Sequence, residues 1–268
     1  MPTNPIAAYE GLPRLLALMS GDEKHDPAAL STLDTLWVLY DRVLNVSPDR
    51  MDDPRRDRFL LSKGHGPQAY FAVLASKGYF GAELLSTFGM FDSPLGYHPD
   101  RLLVPGVEIS SGSLGHGLAI ALGVALGLKA NGSGAGGQRS KANGFGAGGH
   151  RPRVFCLVGD AELDEGSNHE AIALAGRLGV EHLTAIVIDN DSSSHGWPGG
   201  IEGRFAMEGW SVLRVPSHDH DVLEIALDGP PEPRTPRVVV VETAGQPNTW
   251  RTLGSGTLQS RGGASDVQ

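Results

Sequence analysis

Cysteine is nearly absent: Cys156 stands alone in 268 residues. No internal disulfide can form, which fits a reducing compartment. The thiol's place in the apolar run Val154–Val158 reads as core filler rather than as a nucleophile. Positive charge is also scarce, with 22 Lys and Arg against 31 Asp and Glu and a formal charge of −9. A basic face for nucleic-acid phosphates is therefore not expected. Long apolar runs are missing as well. The longest, Leu118 to Leu128, is interrupted by glycine and is too short to span a bilayer. The N-terminus, MPTNPIAAYEGLPR, lacks a basic segment followed by an apolar one, so no signal peptide is read there and a cytoplasmic location is expected.

Glycine is abundant. The 37 Gly and 18 Pro make up about a fifth of the chain, yet 40% hydrophobic content argues against wholesale disorder. The length suits one large α/β domain or two small ones. Part of the excess is local: KANGSGAGG (129–137) recurs as KANGFGAGG (141–149). This tandem duplication reads as a flexible surface insertion at 131–150. As a phosphate loop it would need a preceding strand, a following helix and a Lys-Ser/Thr ending, and it has none of these. Residues 1–242 are read as one domain and 243–268 as a flexible C-terminal tail.

Periodicity supplies the elements. A helix is expected from Ser31, where Ser-Thr-Leu-Asp resembles a capping box and apolar residues follow at helical spacing. Phe59–Ser62 reads as a buried strand entering Lys63-Gly64-His65-Gly66, and Gln68–Lys77 as a helix stopped at Gly78. Gly112–Lys129 reads as a small-residue helix. Val154–Val158 and Thr184–Ile188 are continuous apolar runs flanking the helical segment Glu165–Leu178, the β-α-β signature of a parallel sheet buried on both faces. Val238–Val241 is a third strand of that kind. The fold class is thus α/β, a parallel sheet flanked by helices, with ligands gathered at the carboxyl ends of the strands.

Asp160 ends one of these strands and Asn190 the next. Taken singly, each is an N-cap or a turn residue. Taken together they place a carboxylate and an amide oxygen on one edge of the sheet. With a nearby backbone carbonyl, such oxygens suit Mg²⁺ beside a diphosphate.

The stretch GDAELDEG (159–166) followed by IDN (188–190) resembles the thiamine diphosphate motif in its transketolase form. LSKGHG (61–66), GYHPD (96–100), SSGSLGHG (110–117) and IDNDSSSHG (188–196) fall in the same order as their transketolase counterparts. The resemblance covers roughly residues 20 to 242, the N-terminal diphosphate-binding domain of that family. It implies a thiamine diphosphate-binding fold with Mg²⁺ (or Ca²⁺ or Mn²⁺) held by the Asp160 and Asn190 side chains and the Ser192 backbone carbonyl. His65 resembles the histidine near diphosphate and substrate. Gly112, Ser113 and Leu114 match the loop against the cofactor, with Gly159 beside it. Ala161 would offer a backbone N–H at a helix start, where the dipole favours phosphate. Ser194 stands at the cofactor-ring contact. Glu165 matches an acidic residue linking two active sites across a dimer. His98 and His25 match substrate histidines, a role suited to imidazole.

The departures are specific. Gly-Asp-Gly has become Gly-Asp-Ala, and Ser192–Ser194 replace apolar residues. The pyrimidine-binding and C-terminal domains of transketolases have no counterpart in these 268 residues. The resemblance is therefore to the N-terminal half of a split, two-chain transketolase. It implies a separate C-terminal subunit, an α2β2 assembly and sugar or sugar-phosphate substrates, with a two-carbon ketol unit passing from ketose to aldose. Two alternatives stand beside it. One is a binding subunit without catalysis. The other is a related thiamine enzyme with a pyruvate-type donor, such as a deoxyxylulose phosphate synthase.

Overall fold

The computed structural model describes residues 8–20, 26–133, 151–193 and 196–243. Five strands form its sheet: β1 (Arg58–Leu61), β2 (Val154–Gly159), β3 (Leu183–Asp189), β4 (Ser211–Pro216) and β5 (Arg237–Glu242). They lie in the order β1-β2-β3-β5-β4, and every neighbouring pair is parallel. The described helices are α1 (Leu12–Leu16), α2 (Asp26–Val38), α3 (Gln68–Ser76), α4 (Gly117–Ser133), α5 (Gly166–Leu178), α6 (Gly200–Met207) and α7 (His220–Asp228). This is the α/β class expected, with helices on both faces of a parallel sheet.

Strand residues alternate between the faces. Phe155, Leu157, Ile186, Ile188, Val239 and Val241 share one core with Leu33 and Leu36 of α2, Phe71 and Leu74 of α3 and Leu223 of α7. Val154, Cys156, Val158, Ala185, Val187 and Val240 share the other with Leu118 of α4, Ile172 of α5 and Phe205 of α6. Burial on both sides explains why β2, β3 and β5 are apolar throughout rather than alternating. Cys156 is fully buried, and burial pushes its thiol well above the ordinary value, so it fills the core as expected.

Several boundaries differ from expectation. α2 starts at Asp26, where Pro27 fits a first turn. Ser31 is not its cap: the hydroxyl donates to the Ala28 carbonyl at 2.9 Å, inside the helix. α2 continues as a π-helical turn at Leu39–Val43. α4 begins at Gly117 rather than Gly112, because φ of +128° at Gly112 and +83° at Gly115 is incompatible with a right-handed helix. It runs on to Ser133, so the first residues of the duplicated stretch are helical. The rest of that stretch and residues 244–268 lie outside the described residues.

β4, α6 and α7 come in addition to the elements expected. β4 is an edge strand, half-exposed, with an arginine mid-strand and a terminal proline. Both residues argue against a central strand and are tolerated at an edge. No described helix is long and apolar enough to cross a membrane.

Candidate functional site

Gly159 at the end of β2 pairs with Ile188 in β3, so Asp160 and Asn190 leave the sheet at the same edge. The Asp160 N–H donates to the Ile188 carbonyl at 3.0 Å. Asp160 is 2% exposed, and its carboxylate accepts the N–H of Ala161 at 2.8 Å, of Ser192 at 2.7 Å and of Ser193 at 3.1 Å, together with the Ser192 hydroxyl. Asp191, at φ +58°, turns the chain back toward Asp160. Asn190 is different: its Oδ1 is buried and accepts no hydrogen bond among the described residues. Such an orphan costs about 1–3 kcal/mol, and a cation at that atom would satisfy it. A carboxylate and a bare amide oxygen on one edge fit a hard divalent cation. Among the described residues, no group of three or more His, Cys, Asp and Glu gathers around a metal position. A cation here would therefore draw on amide and backbone oxygens beside the single carboxylate.

A second loop cluster lies nearby. A Cβ on Gly64 would come within 2.6 Å of the Gly112 nitrogen, and one on Gly112 within 2.9 Å of His98 Cδ2. The absence of side chains thus lets the Ser-Lys-Gly-His loop, the Gly112 loop and the His98 ring pack together. His65 follows Gly64 and is half-buried, while Gly112, Ser113, Leu114 and His98 are exposed. Gly115 then returns to the interior, where its carbonyl accepts the Ser167 hydroxyl at 2.7 Å. Glu165 is exposed at the N-cap of α5, with no side-chain cap bond. Its Cβ sits 2.6 Å from where a Cβ on Gly115 would be.

Most of the candidate residues therefore meet at the carboxyl ends of β1 and β2 and the loop after β3. His25 and Ser194 lie outside the described residues. Ala161 sits where expected but opens only a single 3-10 turn, Ala161–Asp164, whose short length gives little dipole. Its N–H is engaged by Asp160.

Two charged residues of this cluster were not singled out from the sequence. Lys63 is 4% exposed and donates to the Ala28 carbonyl at 2.9 Å. Burial pushes its amine down to about 8, against the pull of Asp160 and Glu162. Glu162 is 2% exposed. Burial raises its carboxyl above the usual range, opposed by donors from Ser62, Gly115 and Gly159 and by the charge of Lys63. Within Ala-Glu-Leu-Asp-Glu, the residue reads as part of a solvated acidic run. Its partners Gly115 and Ser62, 47 and 100 residues away, leave no local signal.

Residues 14–244 match the family model described as transketolase, thiamine diphosphate binding domain. A protein named "Ferredoxin fas2" from Rhodococcoides fascians is 50% identical over 236 residues, covering 88% of this chain and 72% of that one. The single cysteine of this chain cannot supply the thiolate set of an iron–sulfur cluster. One of the two chains of an apulose-4-phosphate transketolase from Actinobacillus succinogenes, named as a subunit, is 38% identical, covering 63% of this chain and 54% of that one. A 6-deoxy-6-sulfo-D-fructose transketolase subunit from a Clostridium species is 32% identical over 76% of this chain and 70% of its own. Among solved structures, transketolase from Campylobacter jejuni superposes with a TM-score of 0.72 at 25% identity, covering 91% of this chain but 38% of that one. With the sheet edge, the two loops and 231 matched residues in agreement, the chain belongs to the transketolase family and represents its thiamine diphosphate-binding domain.

Proposed function

We propose that this chain is the N-terminal subunit of a split transketolase, binding thiamine diphosphate and Mg²⁺. With a second chain that carries the pyrimidine-binding and C-terminal domains, it transfers a two-carbon ketol unit from a ketose to an aldose, as a cytoplasmic α2β2 assembly. The observation that carries this reading is the bare, buried Oδ1 of Asn190 beside the Asp160 carboxylate. Coverage of 38% of a whole transketolase, and relatives named as subunits, support the division into two chains.

Thiamine diphosphate, when bound, supplies the carbanion chemistry, and the cation offsets its diphosphate charge. Asp160, Asn190 and the Ser192 carbonyl hold the cation. Gly159 and Ala161 bring backbone beside them. Gly112, Ser113 and Leu114 offer an exposed loop to the cofactor, and Ser194 its ring contact. His65 and His98, packed around Gly64 and Gly112, donate to and exchange protons with sugar hydroxyls, with His25 in the same role. Glu165, exposed at the start of α5, reaches toward a neighbouring subunit.

Calorimetric titration of the two-chain complex with thiamine diphosphate and Mg²⁺ tests this, with Asp160→Ala as control. Full metal-dependent binding by Asp160→Ala would show the assignment to be wrong. A second reading, cofactor binding without turnover, draws on the four donors that already engage Asp160. Saturable binding with no transfer from any ketose would favour it.

A further inference from the structure

The Glu162 side chain joins three segments that sequence separates widely. Its Oε1 accepts the Gly115 N–H at 2.9 Å and the Ser62 hydroxyl, and its Oε2 accepts the Gly159 N–H at 3.4 Å. The direction at Ser62 is fixed by the other bond it makes. Its Oγ accepts the Gly117 N–H at 3.0 Å, which leaves the hydroxyl proton for Glu162. Glu162 is itself anchored from α5, because the Asn168 amide donates to its carbonyl at 2.6 Å. Ser62 opens the Ser-Lys-Gly-His loop, Gly115 closes the exposed turn Gly112–Leu114, and Gly159 precedes Asp160.

We propose that Glu162 is a positioning residue, a buried carboxylate that holds the turn Gly112–Leu114 and the Ser62–His65 loop in register with Asp160. The proposal rests on the thiamine diphosphate reading for its purpose, and on geometry alone for the clamp. Every partner of the carboxylate is a donor, so removing it strands two backbone N–H groups and a hydroxyl in the interior. The turn would then lose the one side chain that ties its C-terminal end to β2.

Amide hydrogen exchange on the full-length, ligand-free chain tests the clamp. Glu162→Ala should speed exchange across residues 112–117 by about tenfold or more, with β2 and β3 unchanged. Glu162→Gln, which keeps an oxygen toward Gly115 and Ser62, should stay within about threefold of wild type. In the two-chain complex, the Kd for thiamine diphosphate with Mg²⁺ should rise about tenfold for Glu162→Ala and within about threefold for Glu162→Gln. Unchanged exchange at 112–117 overturns the proposal, and so does an equal speeding of the β2 amides, which would mean a role in the fold alone. A loosened turn with unchanged Kd overturns it too. If the wild-type complex takes up no thiamine diphosphate, the functional reading fails and the exchange data decide the clamp by themselves.

Discussion

The His98 ring occupies the space that a side chain on Gly112 would need, its Cδ2 only 2.9 Å from where a Cβ there would sit. The same glycine has φ of +128°, a region closed to other residues at low cost. Gly112→Ala should therefore displace either the turn or the imidazole, at a cost of about 1–2 kcal/mol. In the two-chain enzyme, the concentration of thiamine diphosphate needed for half-maximal transfer should rise at least about tenfold. Adding His98→Ala should recover cofactor affinity without recovering turnover. Wild-type cofactor affinity in Gly112→Ala would sink the prediction.

Asn190 presents a test in which stability and function move apart. Its Oδ1 is buried and unpartnered among the described residues, so a volume-matched apolar residue removes a desolvation cost and no hydrogen bond at that atom. Asn190→Leu should leave the ligand-free chain within about 1 kcal/mol of wild type, or more stable. Mg²⁺-dependent uptake of thiamine diphosphate should nevertheless be lost. Denaturant titration of the free chain and calorimetry of the complex read the two quantities. A marked loss of stability would mean that the amide serves the fold rather than a ligand.

What could be read from the sequence follows from how local its cause is. The runs Val154–Val158 and Thr184–Ile188 were legible because a parallel strand buried on both faces must be apolar at every position. Asp160 and Asn190 were legible because they end consecutive strands of one β-α-β unit. β4 was not, since at the sheet edge Arg214 can turn outward to Glu202 and Asp189, and its sequence then lacks strand character. α7 does carry a local signal, Asp219 accepting the Val222 N–H at 3.0 Å ahead of buried Leu223, Ala226 and Leu227. The burial of Glu162 had none, because the donors that make a buried carboxylate tolerable come from Ser62 and Gly115.

Acid stability should depend on Asp57. Its side chain is fully buried and accepts the N–H of Asn45 at 3.0 Å and of Arg153 at 2.8 Å, as well as the Arg153 guanidinium at 2.9 Å. Burial opposes ionisation, but the Arg153 charge and these donors outweigh it and hold the carboxyl below its ordinary value. The folded-state value being depressed, the contribution is complete above the unfolded value of about 3.9 and is lost as pH falls through the folded one. Asp57→Asn should cost about 3–5 kcal/mol at neutral pH, by leaving Arg153 without its buried partner. It should also flatten the acid limb of stability against pH. An unchanged acid limb, measured by denaturant unfolding at a series of pH values, would assign that limb to other groups.

Two helical glycines should respond oppositely to the same substitution. Helix propensity favours alanine over glycine by about 1 kcal/mol in a helix interior. On α4, a Cβ at Gly123 would meet nothing within 4 Å, so Gly123→Ala should stabilise by about 0.5–1 kcal/mol. On α5, a Cβ at Gly176 would lie 1.7 Å from the Glu208 carbonyl oxygen. That atom is backbone, and it cannot retreat easily. Trp210 is buried beside it and donates its indole N–H to the Ile172 carbonyl at 2.9 Å, tying this turn to α5. Gly176→Ala should therefore destabilise by about 1–3 kcal/mol or more, overpacking outweighing propensity. Thermal unfolding of the two variants decides the matter: a Gly176→Ala chain as stable as Gly123→Ala would mean that α5 and the turn before β4 are not in the close contact described.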